Sequence, residues 1–83
     1  MRHDPKLDWS RTAVAELPLE VAIIVPVLNE AANVERLIAA VSVVLAGRGW
    51  ELLFVDDNSG DGTADLVRHI GRTERHIRVV QRL

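Results

Sequence analysis

Two apolar runs constrain this chain more than anything else in it. Val21-Ala22-Ile23-Ile24-Val25-Pro26-Val27 and Leu52-Leu53-Phe54-Val55 are rich in β-branched and large apolar residues, and neither shows polar alternation. A strand with one wet face alternates apolar with polar residues, whereas a strand covered on both faces reads as a continuous apolar run, as in parallel sheets flanked by helices. The runs therefore predict strands covered on both faces, the first ending near Pro26, which has no N–H to give to a ladder. With 83 residues there is room for one small domain at most. A chain of that size buries only about 60–65% of its unfolded surface, so its core must close well.

Between the runs the period changes. Val34, Leu37, Ile38, Val41 and Leu45 recur at helical spacing, with Glu30, Glu35 and Arg36 on other faces. Asn29 or Glu30 can serve the first amides of that helix, and Gly47 or Gly49 offers a left-handed residue to stop it. Trp50 to Val55 forms the second strand and ends in charge at Asp56 and Asp57. After the turn residues Asn58-Ser59-Gly60-Asp61-Gly62, Thr63 or Asp61 can cap a second helix that carries Ala64, Leu66, Val67 and Ile70 on one side. Arg68 and Arg72 lie near its C-terminal end, where positive charge suits the helix dipole. Ile77-Arg78-Val79-Val80 reads as a third strand. The order strand, helix, strand, helix, strand predicts an α/β fold with two right-handed crossovers and a parallel sheet. Three such strands should leave unpaired sheet edges and an uncovered apolar face.

Residues 1–20 form a leader that carries Pro5 and Pro18, with at best a short helix around Thr12 to Glu16 and otherwise loose docking or disorder; residues 21–83 form the domain. The leader mixes charges of both signs and lacks the apolar core of a secretory signal. The longest uncharged apolar stretches, Val21 to Leu28 and Leu37 to Ala46, are far below the ~18–20 residues that cross a bilayer. The absence of cysteine excludes disulfides, thiolate metal sites and thiol nucleophiles. Met1 to Val67 carries 5 basic and 11 acidic residues and Arg68 to Leu83 carries 5 and 1, a distribution read as a solvated basic helix face, not a nucleic-acid site.

Ligands of an open parallel sheet bind beyond the carboxyl ends of its strands. Asn29 and Glu30 follow the first strand there, and Asp56 and Asp57 close the second. Neighbouring strands lie about 4.8 Å apart, so one small polar ligand can touch both loops. Known loop chemistries test poorly against Asp56 to Thr63. No Lys or Gly-x-Gly-x-x-Gly supports a phosphate cradle. An EF-hand loop starting at Asp57 would meet Arg68 at its twelfth position, where a bidentate Glu is required. A receiver domain would carry its acidic pair after the first strand, where Pro26 and Asn29 stand. What remains is a strand-end carboxylate that accepts a hydrogen bond from a nucleotide base, worth roughly 1.5–3 kcal/mol. The alternative is that Asp56 caps a turn and Asp57 holds the Asn58–Gly62 loop through backbone amides. On bare chemistry the two readings stand level for both residues.

Val21 to Glu30, followed by Glu51-Leu52-Leu53-Phe54-Val55-Asp56-Asp57-Asn58-Ser59-Gly60-Asp61-Gly62-Thr63, resembles the opening of the family-two glycosyltransferases of GT-A fold. It is most similar to their dolichol-phosphate mannosyltransferase and polyprenyl-phosphate glycosyltransferase branch. The likeness runs from about Val21 to the end. It implies a Rossmann-like βαβαβ unit, the N-terminal half of a GT-A domain, serving an inverting transfer from a nucleotide-diphospho-sugar to a polyprenyl-phosphate or similar acceptor. The family pattern transfers nucleotide contacts to Pro26, Leu28 and Glu30 from the first motif and to Val55 and Asp57 from the second, and makes Asp56 structural. Leu28 departs from it, since an aromatic residue is frequent at that place. The resemblance implies a divalent metal, Mg2+ or Mn2+, held in the complete enzyme by an Asp-x-Asp downstream. Neither that motif nor a catalytic carboxylate follows Val80, so the chain alone is expected to bind no metal and not to turn over. A cytoplasmic location, peripheral at the membrane face, is expected with it. A non-catalytic α/β fragment or interaction module is the competing expectation.

His3, His69 and His76 lack metal-ligand spacing and are read as solvated or at helix ends. Trp50 is expected to cover a sheet edge, and Trp9 to dock the leader or touch a membrane surface.

Overall fold

A computed structural model describes residues 13–83; His3, Trp9 and most of the expected leader lie outside the described residues. A short 3-10 helix, Val14–Glu16, precedes strand β1, Leu19–Val27. Helix α1 spans Ala31–Val44, strand β2 Gly49–Asp56, helix α2 Thr63–Gly71 and strand β3 Ile77–Gln81. All pairings are parallel in the order β1-β2-β3. This is the α/β, Rossmann-like βαβαβ unit expected. The strand begins two residues inside the expected leader, at Leu19, and Pro26 is tolerated because β1 is an edge strand.

The central strand sorts its side chains by parity. Trp50, Leu52, Phe54 and Asp56 are buried, while Glu51, Leu53 and Val55 are only half-buried. Register carries this parity sideways, pairing Ile23 with Leu52, Val25 with Phe54 and Val27 with Asp56 on one flank, and Leu52 with Ile77 on the other. Val34 of α1 and Val67 of α2 join Val27, Trp50, Leu52, Phe54 and Ile77 in one core. Both helices therefore cover the same face, as two crossovers of one hand require. The opposite face stays open, with Ile24 67% and Val80 49% exposed. Coverage of β1 on both faces is thus not met among the described residues, whereas the uncovered apolar face is. The runs lack polar alternation even though one side is solvent-facing.

Gly47 takes the left-handed conformation after α1, at φ +79°, and Gly49 serves a different need. A Cβ on Gly49 would stand 1.9 Å from the carbonyl oxygen of Pro18, so only a glycine lets the chain before β1 approach β2.

Two side-chain expectations need correction. Trp50 covers no edge; it is 2% exposed in the central strand. His76 is not solvated, because its ring packs edge-on against Trp50, centroids 4.5 Å apart at 87°. Burial holds the His76 imidazolium pKa below its ordinary 6.5, with Glu74 opposing. The unfolded chain therefore takes up this proton first. His76 contributes its full stability above pH 6.5 and less as pH falls from there toward its folded value. The urea midpoint is expected to drop between about pH 7.5 and about pH 5.5, and the drop to shrink in His76→Gln.

Candidate functional site

The site grows from the carboxyl ends of β1 and β2. Pro26 pairs with Val55, and Val55 pairs with Val80, so three apolar side chains lie side by side on the open face at its C-terminal edge. Asp57 leaves β2 immediately beyond, and its N–H donates to the Val27 carbonyl at 3.0 Å. That bond holds the start of the second loop against the end of β1, beside exposed Leu28. Pro26, Leu28, Val55 and Asp57, four of the five residues to which the family resemblance points, thus lie at the same edge of the sheet. Val80 was missed; its signal was its place in a third strand parallel to Val55.

Glu30 stands slightly apart. It precedes the first turn of α1, and its Oε2 accepts a hydrogen bond from Asn33 Nδ2 at 2.8 Å. With Pro26 it borders a cavity of about 310 Å³ floored by Val25, Val27, Val34 and Phe54, which Leu28, Val55 and Asp57 do not line.

The two adjacent aspartates separate cleanly. Asp56 has the parity of Phe54, so it points under the sheet and is fully buried. Its Oδ2 accepts from Ser59 N–H at 3.0 Å and its Oδ1 from the Ser59 hydroxyl. A buried carboxylate needs such donors, and two from one turn residue tie the loop to the strand end. Asp57 has the opposite role: it is exposed, and among the described residues its carboxylate has no hydrogen-bond partner. Turn-holding belongs to Asp56, and Asp57 is free to accept from a ligand.

The helix starts differ from expectation in an instructive way. Neither Asn29 nor Glu30 caps α1 with its own side chain. Asp61 does so from the other loop, its Oδ2 accepting from Ala31 N–H at 3.1 Å. The Oδ1 of the same carboxylate accepts from Thr63 N–H at 3.0 Å and from the Thr63 hydroxyl, which serves the first turn of α2. One carboxylate therefore meets two helix N-termini, whose dipoles favour an anion. The Thr63 hydroxyl bond, above all, lowers the Asp61 carboxyl below its ordinary 3.8, with the Ala31 and Thr63 amides adding to it against a burial penalty. Asp61 thus stays ionised below the ordinary carboxylate range, and its contribution is lost only as pH falls below 3.8 through that lowered value.

Among the described residues, no three His, Asp or Glu side chains are grouped to hold a metal ion. The oxygens of Asp56 and Asp61 accept hydrogen bonds from within the two loops. No helix among them is long and apolar enough to cross a membrane.

The model of the family described as "Glycosyl transferase family 2" matches residues 22–82. A dodecaprenyl-phosphate galacturonate synthase of Rhizobium johnstonii is 33% identical over 66 residues, 76% of this chain and 20% of that protein. A dolichol-phosphate mannosyltransferase of Saccharomyces cerevisiae is 34% identical over 70 residues, 80% of this chain and 26% of that protein. The chain spans about a fifth to a quarter of the length of these relatives.

Proposed function

The chain belongs to glycosyl transferase family 2, and from that premise we propose that residues 21–83 recognise the nucleotide of a nucleotide-diphospho-sugar for an inverting glycosyltransferase. The acceptor is a polyprenyl phosphate, in keeping with the names of the two relatives, and the transfer takes place at the cytoplasmic face of a membrane to which the protein is peripheral. One observation carries this reading: a free carboxylate, Asp57, stands beside the apolar row Pro26, Val55 and Val80 at the carboxyl edge of the sheet. An apolar surface accepts the flat face of a base or ribose, and the carboxylate accepts from a base N–H. Leu28 flanks the same edge from the first loop, and Glu30 borders the neighbouring cavity that Pro26 also lines. The sugar transfer itself is assigned to no residue described here, and the divalent metal of the complete enzyme is assigned elsewhere than to these side chains.

Titration of the chain with ADP, GDP, CDP and UDP tests the reading. Binding of at least one is expected, and Asp57→Ala should weaken it about tenfold or more, the worth of a charged hydrogen bond. In a complete enzyme the same change should chiefly raise the donor KM. Equal affinities of both forms would remove Asp57 from the site. The open apolar face with exposed Ile24 and Val80 favours a second reading, an interaction module without turnover. Failure of the folded chain to bind any of the four diphosphates would favour that alternative.

A further inference from the structure

Three consecutive amides at the entrance of α1 are all bound by the second loop. Asn29 N–H donates to Ser59 Oγ at 2.8 Å, Glu30 N–H to Thr63 Oγ1 at 3.1 Å, and Ala31 N–H to Asp61 Oδ2 at 3.1 Å. Successive N–H groups at a helix start form a concavity that attracts anions. Here it is filled from within, so the loop offers its shape to a ligand and not its amides.

The filling has a direction. The Ser59 hydroxyl donates its hydrogen bond to Asp56 Oδ1, and the Thr63 hydroxyl donates its own to Asp61 Oδ1. A hydroxyl has one proton, and once that is committed to a carboxylate only lone pairs remain to face the amide. Two parallel chains result, from amide through hydroxyl to carboxylate, each bond polarising the next. A return bond runs from Gly60 N–H to Asn29 Oδ1 at 3.0 Å. This clasp holds Asn29 at φ +53°, a left-handed conformation that few residues other than glycine and asparagine adopt readily. Leu28 and Glu30 are its immediate neighbours, so the dihedrals of Asn29 decide where both face.

Resting on the nucleotide reading above, we propose that Asp61, acting through the Thr63 hydroxyl and the Ala31 amide, is a positioning residue for nucleotide binding: it sets the conformation in which Leu28 and Glu30 meet the nucleotide and does not touch the nucleotide itself. The two motifs of the chain are then one device. The second supplies the carboxylate Asp57 to the ligand and, four residues on, the carboxylate that shapes the first.

The test uses the full chain and whichever of ADP, GDP, CDP and UDP binds it most tightly. Thr63→Ser keeps the hydroxyl and should bind within about twofold of the original chain. Thr63→Val, close to Thr in volume but unable to relay, and Asp61→Ala should each weaken binding about tenfold. Amide exchange at Glu30 and Ala31 should quicken in both, with far-UV circular dichroism unchanged. If Asp61→Ala fails to fold, Thr63→Val against Thr63→Ser carries the comparison. Faster exchange at Glu30 and Ala31 with affinity kept within twofold would overturn the proposal, because the clasp would then be structural only. Binding that Asp57→Ala weakens and Thr63→Val does not would overturn it while the nucleotide reading stands. An original chain that binds none of the four would overturn both.

Discussion

Replacing Asp56 by alanine is expected to destabilise the chain by about 3–4 kcal/mol, whereas the same change at Asp57 should cost less than about 0.5 kcal/mol. The two residues are adjacent and identical, so the contrast isolates environment. Asp56 is fully buried and accepts two hydrogen bonds from Ser59. Bonds to a charged group are worth about 1.5–3 kcal/mol each, and their loss leaves the Ser59 amide unsatisfied. It also frees the Ser59 hydroxyl, which receives Asn29 N–H, and so loosens the clasp between the two loops. Asp57 is exposed and contributes to the folded state mainly through its backbone bond to Val27, which alanine keeps. Urea unfolding of the two variants measures the difference. A larger loss at Asp57 would reverse the assignment of structural and ligand-facing carboxylates.

Phe54→Ala should remove about 3–5 kcal/mol, the usual effect of deleting a fully buried phenyl ring. A domain of this length has roughly 4–12 kcal/mol in all, so the variant is expected to lose most of its cooperative thermal transition. Leu53→Ala provides the control. It changes the same strand one residue away, on the open face, where the side chain is only half-buried, and about 1 kcal/mol is expected there. Thermal melts followed by circular dichroism compare the pair. Equal losses would mean that the open face is covered in solution, by a second copy or by a partner, and would strengthen the interaction-module reading.

Much of the architecture was legible because it depends on local periodicity. Val34, Leu37, Ile38 and Val41 announce α1 through their 3.6-residue spacing, and the runs around Ile23 and Phe54 announce strands through β-branched and aromatic content. Boundaries moved by one or two residues, as at Leu19 and Gly49, where pairing with a neighbour extends a strand beyond its apolar run. The environments of Trp50 and His76 were not legible. Their burial follows from a contact between the start of β2 and the turn before β3, residues 26 apart. Nor could the capping of α1 by Asp61 be read, because the donor and the acceptor are 30 residues apart and meet only when the two strands align.

Resemblance to a known family pointed to Pro26, Leu28, Glu30, Val55 and Asp57, and the sequence by itself determined the order of elements and the parallel sheet. It did so because helical spacing, apolar runs and turn residues act within a few positions of themselves. The tertiary structure alone decided which face of the sheet is covered, and with it the roles of the acidic pair. Both faces of the strands carry large apolar residues, with Glu51 and Arg78 the main polar marks of the open parity, so local pattern says little about which parity meets the helices. Once Trp50, Leu52 and Phe54 turn toward α1 and α2, the two-residue period of the strand carries Asp56 into the interior and leaves Asp57 facing solvent.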